Sequence, residues 1–94
     1  MKKSKSLWVL YILQCADGTL YTGITNNLER RLDAHKAGHG AKYTRGRAPL
    51  KLVYNEVQKT HSAALIREQA VKKLTKQQKL ALIKSAKQFL NNTV

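Results

Sequence analysis

Four side chains in this sequence have the types and the spacing to carry out chemistry together. Tyr11 and Tyr21 lie ten residues apart in two apolar segments. Arg31 follows ten residues later, and Glu68 lies inside a later helical pattern. A phenol, a guanidinium and a carboxylate are groups that can move a proton, hold a phosphate and bind a divalent cation. These four residues are therefore the first candidates for a site.

Glu68 differs from the other four acidic residues in its predicted position. Those four are Asp17 in a turn, Glu29 at a helix start, Asp33 on the solvent side of that helix and Glu56 at a strand end. On a helical wheel Glu68 falls on the apolar arc, between Ala64 and Leu65. A carboxylate there needs a partner, a cation or a cleft. A salt bridge to one of the 18 basic residues explains the position equally well. One carboxylate is compatible with Mg²⁺, which keeps several waters and also binds substrate phosphates.

The charge of the chain predicts a polyanionic partner. Eighteen Lys and Arg residues against five Asp and Glu residues give the 94 residues a formal net charge of +13. Such a field attracts nucleic acid, the commonest polyanion inside a cell. A membrane partner is disfavoured, because no apolar run approaches the ~20 residues of a span and no helix combines a basic face with a bulky aromatic one. A protein partner is possible, but nothing in the sequence indicates one.

Cysteine and histidine usage narrows the site further. Cys15 is the single cysteine, so no intrachain disulfide forms, and with no recognisable secretory signal we expect a reduced, cytoplasmic setting. The histidines at positions 35, 39 and 61 are too scattered for a local metal site, and a structural zinc site is not expected. No glycine-rich nucleotide motif is present, so no organic cofactor is expected.

The elements that must position these residues follow from hydrophobic patterning. We predict strands at Leu7–Ala16, Thr19–Thr25 and Leu50–Val57, and helices over about 28–37, 61–74 and 75–90. The first strand is apolar on both faces, which places Leu7–Cys15 in the middle of the sheet. The fold class is α+β: one small three-stranded antiparallel sheet flanked by helices. We expect a single domain over residues 1–94, with its core at about 7–90.

The turn between the first two strands decides whether the tyrosines can share a site. A two-residue loop at Asp17-Gly18 pairs Gln14 with Tyr21 and puts the two tyrosines on opposite faces. A three-residue loop that ends at a left-handed Gly18 pairs Leu13 with Tyr21 and puts them on one face. If the tyrosines share a site, the longer loop must be right.

The first helix should direct Arg31 towards the interior, and the loop after this helix should carry phosphate-binding side chains. Thr25, Asn26 and Asn27 are candidate N-caps, and Glu29 lies three residues after Asn26, at capping-box spacing. Arg31 and His35 share the side of the helix that carries its apolar stripe, whereas Arg30 should face solvent. The glycine-containing loop after the helix carries Lys42, Tyr43, Arg45 and Arg47, which we expect to contact phosphates without reading bases.

The order of these motifs resembles the GIY-YIG nuclease superfamily, in particular its small stand-alone single-domain bacterial members. Val9-Leu10-Tyr11 stands in place of the first triplet, without its glycine, and Tyr21-Thr22-Gly23 in place of the second. Arg31 matches the catalytic arginine of the family, and Glu68 matches its metal-binding glutamate. The resemblance extends over residues 7–82.

The resemblance implies a metal-dependent endonuclease that hydrolyses phosphodiester bonds, with DNA favoured over RNA. Glu68 would hold one Mg²⁺ or Mn²⁺, bound fully only with substrate. Tyr21, supported by Tyr11, would help to deprotonate the attacking water, and Arg31 would offset charge on the phosphate. His35 could serve as an alternative base or phosphate donor. Because a free phenol has a pKa of ~10, the metal and Arg31 would have to lower it.

A non-catalytic explanation accounts for the same charge. A basic nucleic-acid-binding module, or an adaptor that kept the nuclease fold, would also carry +13 and an aromatic residue among basic ones. Only the grouping of Tyr11, Tyr21, Arg31 and Glu68 favours an enzyme over such a module. The positions of these four side chains in the structure therefore matter most.

Overall fold

Three antiparallel strands form a sheet in the order β2-β1-β3, and three helices pack around it. The computed structural model describes residues 7–40, 44 and 46–92, with side chains up to residue 86. Within that part of the chain the elements are β1 Trp8–Gln14, β2 Leu20–Thr25, α1 Leu28–Lys36, β3 Lys51–Gln58, α2 His61–Lys72 and α3 Lys76–Asn92. The predicted α+β class is confirmed.

The central position of β1 explains its composition. Leu10, Tyr11, Ile12 and Leu13 are all buried, and they alternate between the two faces of the sheet. A strand that is covered on both faces can be apolar at every position. The prediction that Leu7–Cys15 lies in the middle of the sheet is therefore confirmed.

The turn between β1 and β2 is the longer of the two that the sequence allows. Leu13 pairs with Tyr21, and Gly18 has φ +85°, in the left-handed region. The amide of Cys15 donates to the carbonyl of Thr19 at 2.9 Å and closes the three-residue loop. Tyr21 therefore lies on the same face of the sheet as Tyr11.

The opposite face of the sheet holds the apolar core. Leu10 and Ile12 of β1 pack with Val71 of α2 and Ile83 of α3. β3 carries one extra residue, Val53, because the register shifts between Ile12 and Leu13. α2 and α3 thus cover the Leu10 side, and the Tyr11 side is left for α1.

Asn27 caps α1, and its side chain accepts a hydrogen bond from the amide of Arg30 at 3.1 Å. Asn27 is one of the three candidate N-caps, and because the helix begins at position 28, Glu29 lies in the first turn and the capping-box spacing from Asn26 is not used. Arg30 is exposed and Arg31 is half-buried, as predicted.

The caps of the other two helices agree with the sequence. The Thr60 hydroxyl accepts from the amide of Ala63 at 3.0 Å. Thr75 and Gln78 form a reciprocal capping box, with distances of 2.9 and 3.1 Å. α2 ends at Lys72, two residues before the predicted end. No helix in the described part of the chain is long and apolar enough to cross a membrane.

Candidate active site under the first helix

A buried hydrogen-bond chain links the middle of the sheet to α1 and to the loop after it. The Tyr11 hydroxyl lies 2.9 Å from His35 Nε2, and Arg31 Nε donates to the same hydroxyl at 3.3 Å. His35 Nδ1 lies 2.9 Å from the Thr44 hydroxyl. Tyr11, His35 and Thr44 are all buried, and Arg31 is half-buried. Residues from a strand, a helix and a loop thus meet at one phenol.

The side-chain types indicate which atom donates in each of these hydrogen bonds. A guanidinium can only donate, so the Tyr11 oxygen accepts from Arg31. We assign the Tyr11 hydroxyl as the donor to His35 Nε2, which then carries no proton. The proton of the imidazole is on Nδ1, which donates to the Thr44 hydroxyl. All four groups then have partners of matching kind. The imidazole is neutral in this arrangement.

Tyr21 completes an aromatic cluster above β1. Its ring centroid lies 6.2 Å from that of Tyr11 and 5.4 Å from that of His35, and the His35 contact is edge-to-face. Hydrogen bonding to Tyr11, with a smaller contribution from Tyr21, raises the pKa of Arg31. The guanidinium therefore lies beside both phenols. Of the two turns that the sequence left open, the structure has the longer one, which places the two tyrosines on one face of the sheet.

Two glycines make room for these rings. A Cβ atom on Gly23 would lie 2.7 Å from the Tyr11 hydroxyl oxygen and 3.0 Å from the Tyr21 ring. A Cβ atom on Gly40 would overlap the His35 ring. A glycine inside a strand often marks such a close approach, which gives Gly23 of the second triplet its physical reason.

The environment keeps both Tyr11 and His35 uncharged near neutral pH. Burial raises the pKa of Tyr11, and the hydrogen bond from Arg31 offsets this only in part. Burial, and then the positive charge of Arg31, lower the pKa of His35. Arg31 acts on the pKa of Tyr11 in the expected downward direction, but loss of hydration outweighs it and the net shift is upward.

A cleft of about 440 Å³ opens next to this network. It is lined by residues of the β2–α1 connection and of α1, namely Thr25, Asn26, Asn27, Arg30, Arg31 and Ala34. The amino end of α1 also borders it, where backbone N–H groups carry a partial positive charge. The cleft has the charge and the donors to receive an anion, and Arg31 belongs both to it and to the Tyr11 network.

Glu68 lies on α2, the helix that covers the opposite face of the sheet. Its side chain is 14% exposed, and its carboxylate lies 3.3 Å from the Lys72 ammonium, one turn along the helix. The salt bridge that the sequence left open is thus present. The structure brings Tyr11, Tyr21, Arg31 and His35 together and places Glu68 on a separate element.

The donor set limits how a metal could be held. Within residues 7–40, 44 and 46–92, no group of three or more His, Cys, Asp or Glu side chains could bind an ion by itself. The Glu68 carboxylate is a hard oxygen donor of the kind that Mg²⁺ and Mn²⁺ prefer. It fits a divalent ion whose other ligands are water and substrate oxygens.

Comparison with known sequences identifies the family. The profile of the GIY-YIG catalytic domain matches residues 7–81. The chain belongs to the GIY-YIG family. At the family level this is a nuclease domain; GIY-YIG nucleases act on nucleic acid and generally depend on a divalent metal. The resemblance expected from the two triplets, Arg31 and Glu68 is confirmed.

Related GIY-YIG proteins are small, like this chain. The UPF0213 protein CPE1444 of Clostridium perfringens is 59% identical over 76 residues, which cover 81% of this chain and 82% of that protein. The solution NMR structure of EF2693 from E. faecalis has a TM-score of 0.58 at 44% identity and covers 86% of this chain and 84% of its own. That of the UPF0213 protein BH0048 from Bacillus halodurans has a TM-score of 0.55 at 41% identity, covering 83% of each chain.

A second polar cluster was missed from the sequence. On β3 the Glu56 carboxylate accepts from Tyr54 at 2.5 Å and from Gln58 at 2.7 Å, and Arg67 of α2 donates to it at 2.8 Å. The side chain of Glu56 is only 19% exposed. Glu56, which the sequence placed only at the end of a strand, is therefore a second carboxylate with limited exposure, in addition to Glu68 on the apolar arc of α2. The alternation of Tyr54, Glu56 and Gln58 along β3 was the signal for this cluster.

Most of the predicted phosphate-binding loop lies outside the described residues. Lys42, Tyr43 and Arg45 belong to this part, and their roles stay predictions. Arg47 forms an ion pair of 2.6 Å with Asp17 in the β1–β2 turn, at the surface. The charge of Arg47 is therefore compensated in part, which weakens its case as a phosphate ligand.

Proposed function

We propose that this GIY-YIG protein is a single-domain, metal-dependent endonuclease that hydrolyses phosphodiester bonds in DNA in the cytoplasm. The observation that carries the proposal is the position of Arg31. The ion pairs among the described residues are Arg47–Asp17, Arg67–Glu56 and Lys72–Glu68, and Arg31 is in none of them. A half-buried guanidinium beside uncharged groups and an open cleft attracts an anion such as a phosphate.

Arg31 is held in place for this role. Its Nε–H donates to Tyr11, so the guanidinium is anchored from one side. A further hydrogen bond joins the guanidinium to Tyr21. We propose that the Nη donors left by these contacts bind the scissile phosphate in the cleft. Charge that builds on the phosphate in the transition state then meets a preorganised cation, which needs no reorganisation during the reaction. Arg30, exposed at the same cleft, is a further phosphate contact.

The two tyrosines take different roles in this proposal. Tyr11 is fully buried, so its phenol acts on Arg31 and Tyr21 and not on the attacking water. Tyr21 is only half-buried, and we assign it to orient and deprotonate that water. Both nitrogens of His35 are engaged within the protein, by Tyr11 and Thr44. We therefore assign His35 to positioning and not to the alternative base that the sequence suggested.

Glu68 is the proposed ligand of the divalent ion. The Glu68 carboxylate would hold Mg²⁺ or Mn²⁺ in place of its ion pair with the more exposed Lys72 ammonium. The bound ion supplies Lewis-acid stabilisation of a phosphoryl oxygen. Lys72 would then be available to contact a phosphate of the DNA strand that is cleaved.

The test compares two carboxylates in one assay. Glu68→Gln removes the charge that holds the ion and should lower Mg²⁺- or Mn²⁺-dependent cleavage of plasmid and branched DNA by more than about 100-fold. DNA binding, measured by fluorescence anisotropy, should persist. Glu56→Gln is the matched control, because this carboxylate belongs to the Tyr54 cluster. It should melt at a lower temperature and keep its specific activity. A Glu68→Gln variant that is destabilised but active would contradict the assignment.

A non-catalytic module is the second candidate. The ion pair of Glu68 with Lys72 and the raised pKa of Tyr11 favour it, since each reduces the reactivity of a site group. A module of this kind would still bind phosphates through Arg30 and Arg31. Wild-type protein that binds DNA yet cleaves neither DNA nor RNA with any divalent metal would select this candidate.

A further inference from the structure

Two exposed residues of β3 lie on the sheet face that carries the candidate site. Asn55 pairs with Tyr11, and Val57 pairs with Val9. Residues that pair directly in an antiparallel sheet project to the same face. Asn55 and Val57 therefore share the face of Tyr11, at the free edge of the sheet.

This part of the face is open and continuous with the phosphate cleft. Asn55 is exposed, and Val57 is 60% exposed. On the other side of β1, Val9 pairs with Thr25, which lines the cleft next to Arg31. A strip of sheet thus runs from the cleft through Thr25 and Val9 to Val57. If a phosphate of a ligand lies in the cleft, the neighbouring part of that ligand lies against this strip.

The side chains of Asn55 and Val57 have the chemistry to recognise a DNA base pair. A carboxamide can donate to adenine N7 through its N–H and accept from the adenine N6 amino group through its oxygen, and an apolar side chain can contact the thymine methyl group. In a strand, Asn55 and Val57 project side by side, roughly 7 Å apart. An edge strand can enter a major groove that is about 12 Å wide. An amide beside an exposed aliphatic group matches an A·T pair better than a G·C pair.

We propose that Asn55 and Val57 read an A·T base pair in the major groove of duplex DNA, next to the phosphate bound by Arg31. The inference rests on the proposed DNA-binding function and adds a sequence preference to it. Double-stranded RNA does not satisfy it, because the major groove of an A-form helix is too deep and narrow for side chains. The surrounding positive charge supplies affinity, and these two residues supply discrimination.

The experiment measures binding of the full chain to short DNA duplexes without divalent metal, so that cleavage does not interfere. A panel replaces each base pair around a central A·T pair in turn. Wild-type protein should prefer A·T at one position by about tenfold. Asn55→Ala and Val57→Ser should each remove most of this preference and leave the salt dependence unchanged.

Modified bases separate the two contacts. Uracil in place of thymine removes the methyl group and should weaken wild-type binding but not that of Val57→Ser. 7-Deazaadenine removes the N7 acceptor and should weaken wild-type binding but not that of Asn55→Ala. Ile66→Ser and Gln69→Ala are matched controls, because both residues are exposed on α2, Ile66 to 72%, and both variants should respond to each modified base as wild type does.

The possible outcomes distinguish this inference from the proposed function. Duplex binding with no A·T preference, or a preference that both variants keep, overturns the base-reading role alone. Equal affinity for duplex RNA of the same sequence also overturns it. Absence of any duplex binding overturns the proposed function together with this inference.

Discussion

The two faces of the sheet each carry a tyrosine and an arginine, but only one face adds a carboxylate. Under α2, Arg67 donates to Glu56, and Tyr54 donates to the same carboxylate. Under α1, Arg31 donates to Tyr11, which has His35 as its other partner. The first cluster contains both signs of charge, and the second contains only a cation.

This difference separates a cluster whose charges are paired within the protein from one that, among the described residues, carries an unpaired positive charge. Burial acts against the Glu56 carboxylate, but hydrogen bonds from Arg67 and Tyr54 outweigh it and lower its pKa. The charge of Arg67 is thereby satisfied within the protein. Arg31 has neutral neighbours in Tyr11 and His35, so its charge remains for a ligand. Similar side chains thus have different electrostatic surroundings, and one carboxylate makes the difference.

The largest expected effect comes from exchanging each arginine for glutamine. Arg31→Gln should reduce nuclease activity by about 1,000-fold, because it removes the cation that meets the developing phosphate charge. Arg67→Gln should cost about 1 kcal/mol of stability, since its pair is partly exposed, and leave activity per folded molecule within about twofold. Plasmid nicking and thermal melting measure the two effects. An inactive Arg67→Gln variant beside an active Arg31→Gln variant would contradict the assignment of Arg31 to the phosphate and of Arg67 to structure.

A smaller effect is expected at Gly23. In Gly23→Ala the new Cβ atom lies 2.7 Å from the Tyr11 hydroxyl oxygen unless the ring moves. We expect a loss of about 1–3 kcal/mol in the free energy of unfolding and a fall in activity of about 100-fold from misplacement of Arg31 and Tyr21. Urea denaturation and plasmid nicking test this.

Gly38→Asn is the control for that substitution. Gly38 has φ +83°, which asparagine tolerates, and a Cβ atom there meets no neighbour within 4 Å. This variant should keep near-normal stability and activity. A fully active Gly23→Ala protein would show that the fit of the Tyr11 hydroxyl is not required.

The smallest expected effect is a difference in pH response between the clusters. The pKa of His35 is lowered from its ordinary 6.5, so its contribution to stability is present above pH 6.5 and is lost as the pH falls below it. The pKa of Glu56 is lowered from 4.5, so its contribution disappears only below that value. His35→Gln should therefore flatten the stability profile between about pH 6.5 and pH 5. Exposed His39 provides the control, and an unchanged slope in His35→Gln would contradict the assignment.

The sheet and the residues of the α1 face were largely predictable from the sequence. The two-sided apolar composition of Leu7–Cys15 identified the central strand, and helical periodicity placed Arg31 on the inner side of α1 and Arg30 outside. The position of Tyr21 needed one further fact, the length of the turn. Patterning leaves two registers open there, and only the left-handed Gly18 of the folded chain decides between them.

The partners of these residues could not be predicted in the same way. Thr44 reaches His35 from an irregular loop, where no periodicity fixes the direction of a side chain. The pKa of Tyr11 depends on its degree of burial, which the residues around it in sequence do not determine. Glu56 was passed over because a strand end gave no sign that α2 would cover it.

The extra residue Val53 has a consequence for how β3 can vary over evolution. Because the ladder shifts there, Leu52 opposes Leu13 and Tyr54 opposes Ile12, and these two residues of β3 project to opposite faces although they are two apart. Loss of the intervening residue would restore regular pairing and leave both facing pairs intact, whereas loss of a residue elsewhere in β3 would invert one half of the strand. Val53 is thus the position in β3 where loss of one residue keeps the facing of both halves of the strand, at the cost of the contact that Val53 makes with the apolar core.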